Sequence, residues 1–421
     1  MRKLEEKRFS SIDETLFTYR FSNGFLLRML PKKEFKEQAG LLTVNIGSLD
    51  WDESEPAGLP HFLEHKIFET ESGEDFLLKF TESAIDSNAF TSFGYTGYTF
   101  SSSKEISAST RLLLEMISSF TTSPKAVDKE KEIILQELEM YKADPDQVLY
   151  TEALARMYPH TPLAMEIVGS RESISQINLT DLQRIYRDYY QAQNMQLFLI
   201  GDFDPVELIE LLEDSVLRLS NQTDSRPLRN PLSYQSVKSG ESIRMDVSKA
   251  KLAIGLRGNQ SLQQEEIFVY KVKLQLFFSL LLGWTSQRYQ DLLDSGKIDY
   301  SFQFEIEVQE LYHHVFFFLD TDEPVSFSHQ LRTIVKRFEQ SADLSEEHLD
   351  LLKNEMYGDF IRQLDHYDFI FNNYLVGIEG LNLFDLPAIL PNIHLVDVLE
   401  VGREFIETCD MMDFTVLPNY T

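Results

Sequence analysis

In the segment GLPHFLEHKIFE, Gly58 to Glu69, two of the chain's nine histidines stand four positions apart, with a glutamate directly before the second. On a helix, positions i, i+3, i+4 and i+7 share a face, so His61, Glu64, His65 and Phe68 point the same way. Two imidazoles one turn apart can reach a single ion. Zinc accepts neutral imidazole nitrogens at about 2.0–2.1 Å, and a catalytic site needs a third protein ligand while keeping one position for water. The chemistry this suggests is hydrolysis: the ion polarises a carbonyl and acidifies a water, and Glu64 takes the proton and returns it to the leaving amine. Three residue identities also arise by chance on an ordinary polar helix, so the reading requires a further ligand elsewhere.

The best candidate lies in EKEIILQELEMY, Glu130 to Tyr141. Glu130 and Glu137 are two helical turns apart and flank Ile133 and Ile134, which puts both carboxylates on the face expected to be buried, whereas Glu132 and Glu139 fall off it. Buried carboxylates are costly unless they meet a cation or hydrogen-bond donors, and a metal with its histidines supplies both. Glu137 is therefore expected as the ligand and Glu130 as the group behind it that orients an imidazole. Taken alone, this helix reads first as a solvated charged face.

The elements that must position these residues mix strands and helices without a regular βαβ alternation. FTYRFSNGFLLRMLP reads as a hairpin around Ser22-Asn23-Gly24, and LLTVNIGSL as a buried strand. SNAFTSFGYTGYTFSSS has strand composition. Ser123-Pro124 followed by AVDKEKEIILQELEMYKADP reads as a helix with a serine cap, proline at its first position and a stop near Pro145. MQLFLIGDFDPVELIELLEDSV, from Met195, is a strand, a turn and a helix that close a first domain over 1–220. A polar, Pro- and Ser-containing linker is expected over 221–240, and a second domain over 241–421. There, KLAIGLRGNQSLQQEEIFVYKVKLQLFFSLLLGW echoes LLTVNIGSLDWDESEPAGLPHFLEHKIFE in order and spacing, a faint internal repeat whose second copy has lost the histidines. The expected class is α+β, with two related domains, each an antiparallel sheet packed with helices.

Composition narrows the partners. The chain has 421 residues, 43% of them hydrophobic and 12% aromatic, which is globular rather than disordered. A formal charge of −29 repels phosphate backbones and anionic lipid, so neither nucleic acid nor membrane is expected as a partner. The same charge weakly suggests positively charged peptides, with plain solubility as the competing explanation. Cys409 is the only cysteine, which precludes an intrachain disulfide or a thiolate zinc cluster and fits a reducing, cytoplasmic setting. MRKLEEKRFSSIDETLF reaches no apolar core of signal-peptide length, and the apolar stretch around Leu274 to Trp284 is too short to span a bilayer.

His-x-x-Glu-His inverts the commoner zinc-protease order, the inverzincin signature. With it, SNAFTSFGYTGYTF, EKEIILQE, YPHTPLAMEIVGSRESI and NMQLFLIGDFDP follow in the order and approximate spacing of the pitrilysin and insulysin family of zinc metallopeptidases, M16, which includes the mitochondrial processing peptidases. The resemblance covers most of residues 40 to 205. It implies one zinc per chain held by His61, His65 and Glu137, with Glu64 as general base and Glu130 as the supporting carboxylate. It also implies that Asn88 and Ala89 lie on an edge strand that holds an extended peptide by backbone pairing. The family's domains assemble as a four-domain clamshell, of which this chain would be half, so a second subunit is implied.

Family members often carry in the second half an arginine and a tyrosine seven residues apart that bind the substrate's carbonyl region. Here Tyr300 stands at the tyrosine's place but Leu293 at the arginine's, and a leucine supplies neither charge nor hydrogen bonds. Tyr300 is accordingly read either as substrate-binding or as structural. Some small bacterial members divide the work between a zinc-bearing chain and a zinc-free one that carries the Arg/Tyr pair. A heterodimer with such a zinc-free partner is the preferred expectation, and a homodimer the alternative. The expected function is zinc-dependent endopeptidase, against a catalytically weak peptide-binding or assembly subunit. His160, His313 and His314 are expected to serve packing or the surface.

Overall fold

Runs of β-branched and aromatic residues between turn signals form two sheets in the computed structural model, which describes residues 4–52, 54–69, 75–221, 229, 231–374 and 380–419. The first sheet comprises β1 (Glu5–Phe9), β2 (Glu14–Arg20), β3 (Leu26–Pro31), β4 (Gln38–Val44), β5 (Ile85–Thr91), β6 (Thr96–Ser102) and β7 (Met195–Gly201), in the order β1-β2-β3-β7-β4-β6-β5. The second comprises β8 (Glu241–Met245), β9 (Ala250–Arg257), β10 (Gln303–Val308), β11 (His313–Thr321) and β12 (Asp410–Pro418), in the order β10-β11-β9-β12-β8. Gly24, at φ +89°, makes the turn that closes β2 onto β3, a left-handed conformation that costs glycine nothing.

The internal repeat is visible in the pairing. β3 runs parallel to β7, and β7-β4, β4-β6 and β6-β5 are antiparallel. In the second sheet β8 runs parallel to β12, and β12-β9, β9-β11 and β11-β10 are antiparallel. The two copies therefore share one five-strand plan, with β4 matching β9 and the edge strand β5 matching β10. The sheets are antiparallel except for the single parallel pair in each. The helix that follows β9, Ile267–Leu282, carries no histidine and is mostly apolar, Lys271, Lys273, Gln275 and Ser279 apart, as the echo in the sequence implies. Among the described residues no single helix is long and apolar enough to cross a membrane.

The chain divides into two units, Met1–Met140 with Met165–Asn230, and Tyr141–Ala164 with Pro231–Thr421. They are not contiguous in sequence as the 1–220 and 241–421 division expects. The difference lies in the helix Pro145–Met157, whose buried residues Leu149, Ala153, Leu154 and Met157 pack on β9 and β12. Gly255 on β9 makes room for it, since a Cβ there would sit 2.0 Å from the Met157 Cε. An apolar helical stripe reveals that a helix is buried, not which sheet it is buried against. Residues 222–228 and 230 of the expected linker lie outside the described residues. Arg229, between them, binds Asp50 at 2.9 Å and Asn45 at 3.0 Å in the first unit.

His313 and His314 on β11 are both packed inside the second unit, 2% and 3% exposed. The Tyr158 hydroxyl lies 3.0 Å from His314 Nδ1 and 3.2 Å from the His313 carbonyl, an arrangement satisfied when Nδ1–H donates to the tyrosine oxygen and the hydroxyl donates to the carbonyl. Burial pushes the His313 pKa down to about 4, and burial with the charges of His313 and Lys271 pushes that of His314 to about 3. In an unfolded chain both imidazoles protonate near 6.5. Between about pH 6.5 and 4 the unfolded state thus binds more protons, and stability falls as pH is lowered through that window. His313→Gln is expected to flatten the dependence of unfolding free energy on pH between 6.5 and 4.5 by up to about 1.4 kcal/mol per pH unit. Denaturant titrations that give the same slope as wild type would contradict this.

Candidate metal centre

Why three polar residues come to be buried follows from where their helix sits. Leu59–Ile67 starts at Gly58, whose φ of +92° few other residues adopt, and a Cβ on Gly58 would meet the Val168 carbonyl oxygen at 2.5 Å. The helix is pressed between strands β5 and β6 and the helix Leu179–Tyr189, so that all of its residues except His65 are buried. His61 and Glu64 are each 7% exposed. The expected cap of the second site helix also forms: Pro124–Ala143 begins behind Ser123, whose hydroxyl accepts from the Ala126 N–H.

The two helices bring the predicted groups together. His61 Nε2 lies 3.6 Å from Glu137 Oε1, and His65 Nε2 lies 3.5 Å from Glu137 Oε2. The two imidazole centroids are 4.6 Å apart, and one ligand atom from each of His61, His65 and Glu137 falls within 4.8 Å of the others. These separations fit a shared ion better than direct bonds. Donor atoms around a tetrahedral zinc at about 2.0–2.1 Å stand about 3.3 Å from one another, close to what is seen here, whereas a charge-assisted N–H···O bond would be nearer 2.8 Å. The residues present therefore fit the ion.

Behind this set, the His65 Nδ1 lies 3.1 Å from Glu130 Oε1, so that Nδ1–H donates to the carboxylate and the Nε2 lone pair is left facing Glu137. His61 Nδ1 is buried and has no hydrogen-bond partner among the described residues. Glu64 is held from the other side: the Thr91 hydroxyl donates to its Oε2 at 2.6 Å. Thr91 ends β5, the edge strand that carries the exposed Asn88 and the half-buried Ala89. Sequence reasoning singled out Asn88 and Ala89 but missed Thr91, although strand alternation puts it near the base. Lys66, also missed, is 1% exposed and reaches Glu130 Oε2 at 3.3 Å and the Glu69 carboxylate.

One expectation needs correction. Ile134 is fully buried, but Ile133 is 44% exposed. Glu130 and Glu137 thus ride the border of the buried face rather than its middle, with side chains 13% and 23% exposed. A wedge of about 100° separates adjacent residues on a helix, enough to send two neighbouring isoleucines to opposite sides of the border. Glu132 and Glu139 are exposed, as expected.

The electrostatics follow from this burial. Burial raises the Glu64 pKa, and His61, the Thr91 bond and His65 oppose it only in part. For His65, burial alone works against protonation, but the Glu130 bond and the charges of Glu64 and Glu137 outweigh it and raise its pKa. For Glu130, burial is outweighed by the His65 bond and the Lys66 ammonium, which lower its pKa. A divalent cation between the imidazoles would favour the charged form of Glu64 and the neutral form of His65.

In the second unit, Leu293 is half-buried on the helix Gln287–Asp294. Tyr300 is 93% exposed, so it supports no packing.

Two helical imidazoles and a carboxylate from a second helix converge on one point that could hold a metal ion, with the Glu64 carboxylate beside it, an arrangement of the kind that catalytic zinc sites use. Comparison with known proteins agrees: the profile for insulinase, peptidase family M16, matches residues 29–171, and that for the M16 inactive domain matches residues 176–356. The chain belongs to the M16 peptidase family. "Uncharacterized zinc protease YmfH" of Bacillus subtilis is 29% identical over 97% of this chain and 98% of its own length. Among solved structures, a putative M16-like peptidase from Alicyclobacillus acidocaldarius superposes with a TM-score of 0.85 at 24% identity, covering 99% of each chain. The periplasmic protease PqqL from Escherichia coli superposes at 0.75 and 18% identity, over 96% of this chain and 47% of its own. The latter two likenesses concern the fold.

The dependence of the site on Gly58 is measurable. Gly58→Ala combines a positive φ with a backbone clash, and is expected to cost about 1–3 kcal/mol, a fall of roughly 2–10 °C in thermal midpoint. A midpoint equal to wild type would contradict the described entry into the helix.

Proposed function

We propose that the protein is a zinc-dependent endopeptidase that hydrolyses extended peptides. The observation that carries this reading is the convergence of His61, His65 and Glu137 on one point, with the buried Glu64 beside it. In this reading the three hold one zinc per chain, which when bound supplies Lewis acidity toward a peptide carbonyl and acidifies a water. Glu64 acts as the base: it accepts that water's proton and passes it to the departing amine. Thr91 fixes one Glu64 oxygen, which leaves the other to carry the proton. Glu130 holds His65 in the Nδ1–H tautomer.

Asn88 and Ala89 are proposed to contact substrate, because β5 is the outermost strand of its sheet and offers backbone groups to an added strand irrespective of side-chain sequence. The net charge of −29 favours basic peptides. A cytoplasmic setting is part of the proposal, on the ground that Cys409 is the single cysteine.

The active form is proposed to contain a second subunit. One observation supports this: the chain matches 47% of PqqL's length. The family resemblance adds to it, since it implies an arginine where this chain has Leu293. A zinc-free related chain that contributes the Arg/Tyr pair is the preferred partner, and a second copy of this chain the alternative. The same leucine favours the second functional reading, a peptide-binding or assembly subunit with little turnover of its own.

Zinc analysis and peptide cleavage by three proteins separate these readings. Wild type and Glu64→Gln are expected to hold close to one zinc per chain, with Glu64→Gln at least about 100-fold slower in cleavage. Glu137→Ala is expected to lose both zinc and cleavage. Cleavage that survives Glu64→Gln would sink the mechanism. Zinc-loaded wild type that cleaves only after a related subunit is added supports the heterodimer, and a fully active homodimer counts against it.

A further inference from the structure

Lys66 is the unusual residue of the site's surroundings. Lysine is almost never fully buried, yet Lys66 is 1% exposed and immediately follows a candidate ligand. Its ammonium meets Glu130 Oε2 at 3.3 Å and the Glu69 carboxylate. Glu130 therefore has one oxygen for each neighbour: Oε1 for His65 Nδ1 at 3.1 Å and Oε2 for Lys66. A carboxylate bound at one oxygen can rotate about its terminal torsion, which is broad and soft, and one bound at both oxygens cannot.

We infer that Lys66 is a positioning residue of the metal centre, acting through Glu130 to fix the His65 imidazole. The inference rests on the zinc reading above and extends it beyond the residues that touch the ion. Its first consequence is orientation. With Oε2 tethered, Oε1 stays in the plane where it can accept from Nδ1–H, and the Nε2 lone pair stays aimed at Glu137. Its second consequence is exclusion. Glu130 and Glu137 come from one helix and both approach His65. Untethered, Glu130 could swing toward the ion and take the position that hydrolysis reserves for water. Charge agrees with this division. The Lys66 ammonium sits between Glu69 and Glu130 and offsets part of their charge, so the carboxylate behind His65 does not depend on the ion for its counter-charge.

A double-mutant cycle on zinc affinity tests the inference without reference to cleavage. The metal-free proteins wild type, Lys66→Met, Glu130→Gln and the double variant are titrated with zinc against a chromogenic chelator, with circular dichroism to establish the fold. Each single substitution is expected to weaken zinc binding about 10- to 100-fold. Because Lys66 acts through Glu130, Lys66→Met is expected to add less than about threefold in the Glu130→Gln background. The visible spectrum of the cobalt-substituted Lys66→Met protein is expected to shift, reporting altered ligation. Losses that add in full, or a Lys66→Met protein with wild-type affinity and an unchanged cobalt spectrum, overturn the inference while leaving the zinc site intact. A wild type that binds no zinc instead overturns the functional reading, and this inference with it. Should Lys66→Met fail to fold, Lys66→Gln takes its place in the cycle, with the same outcomes deciding.

Discussion

The structure of the first unit turns on the cost of placing carboxylates and imidazoles where water reaches them only in part. Pressing Leu59–Ile67 between a sheet and another helix buries its polar residues along with its apolar ones. Packing alone would select leucine or phenylalanine at such positions, as it does along Ile267–Leu282 in the second repeat. An unpaired buried ion is expensive: Glu64 is matched by a hydroxyl and Glu130 by an imidazole and an ammonium, while Glu137 faces two imidazoles at 3.6 and 3.5 Å. What these matches leave over is a site for a cation.

The duplication makes the comparison internal to one chain. In both copies of the five-strand plan a helix follows the central strand, β4 or β9, and the next strand in the chain, β5 or β10, lies at the edge. One copy carries two histidines and a glutamate along that helix, and the other an aromatic core, in which Phe277 and Phe278 meet Phe338, Phe317 and Phe405. The fold therefore does not require these ionisable residues, which accords with the proposal that they serve a bound ion.

Much of the site was legible because helical geometry converts spacing into proximity: His61, Glu64 and His65 share a face whatever surrounds them. Glu137 and Glu130 were legible through the same period on Pro124–Ala143, and the cap at Ser123 through local hydrogen bonding. Three things were not. Ile133 faces outward because the border of a buried face is set by the neighbouring elements rather than by the helix itself. Pro145–Met157 joins the second unit because an apolar stripe does not name its sheet. Lys66 and Thr91 escaped notice because their roles depend on partners 64 and 27 residues away, and each is unremarkable within its own element.

The central claim is that His61, His65 and Glu137 are the protein ligands of one zinc ion. Anomalous scattering measured on either side of the zinc absorption edge, from crystals of the purified protein, tests it most directly. The claim predicts a single strong peak in the first unit, within about 2.3 Å of His61 Nε2, His65 Nε2 and a Glu137 carboxylate oxygen. No zinc peak there in zinc-supplemented crystals, or an ion held by Glu64 or Glu130 in place of Glu137, would contradict it.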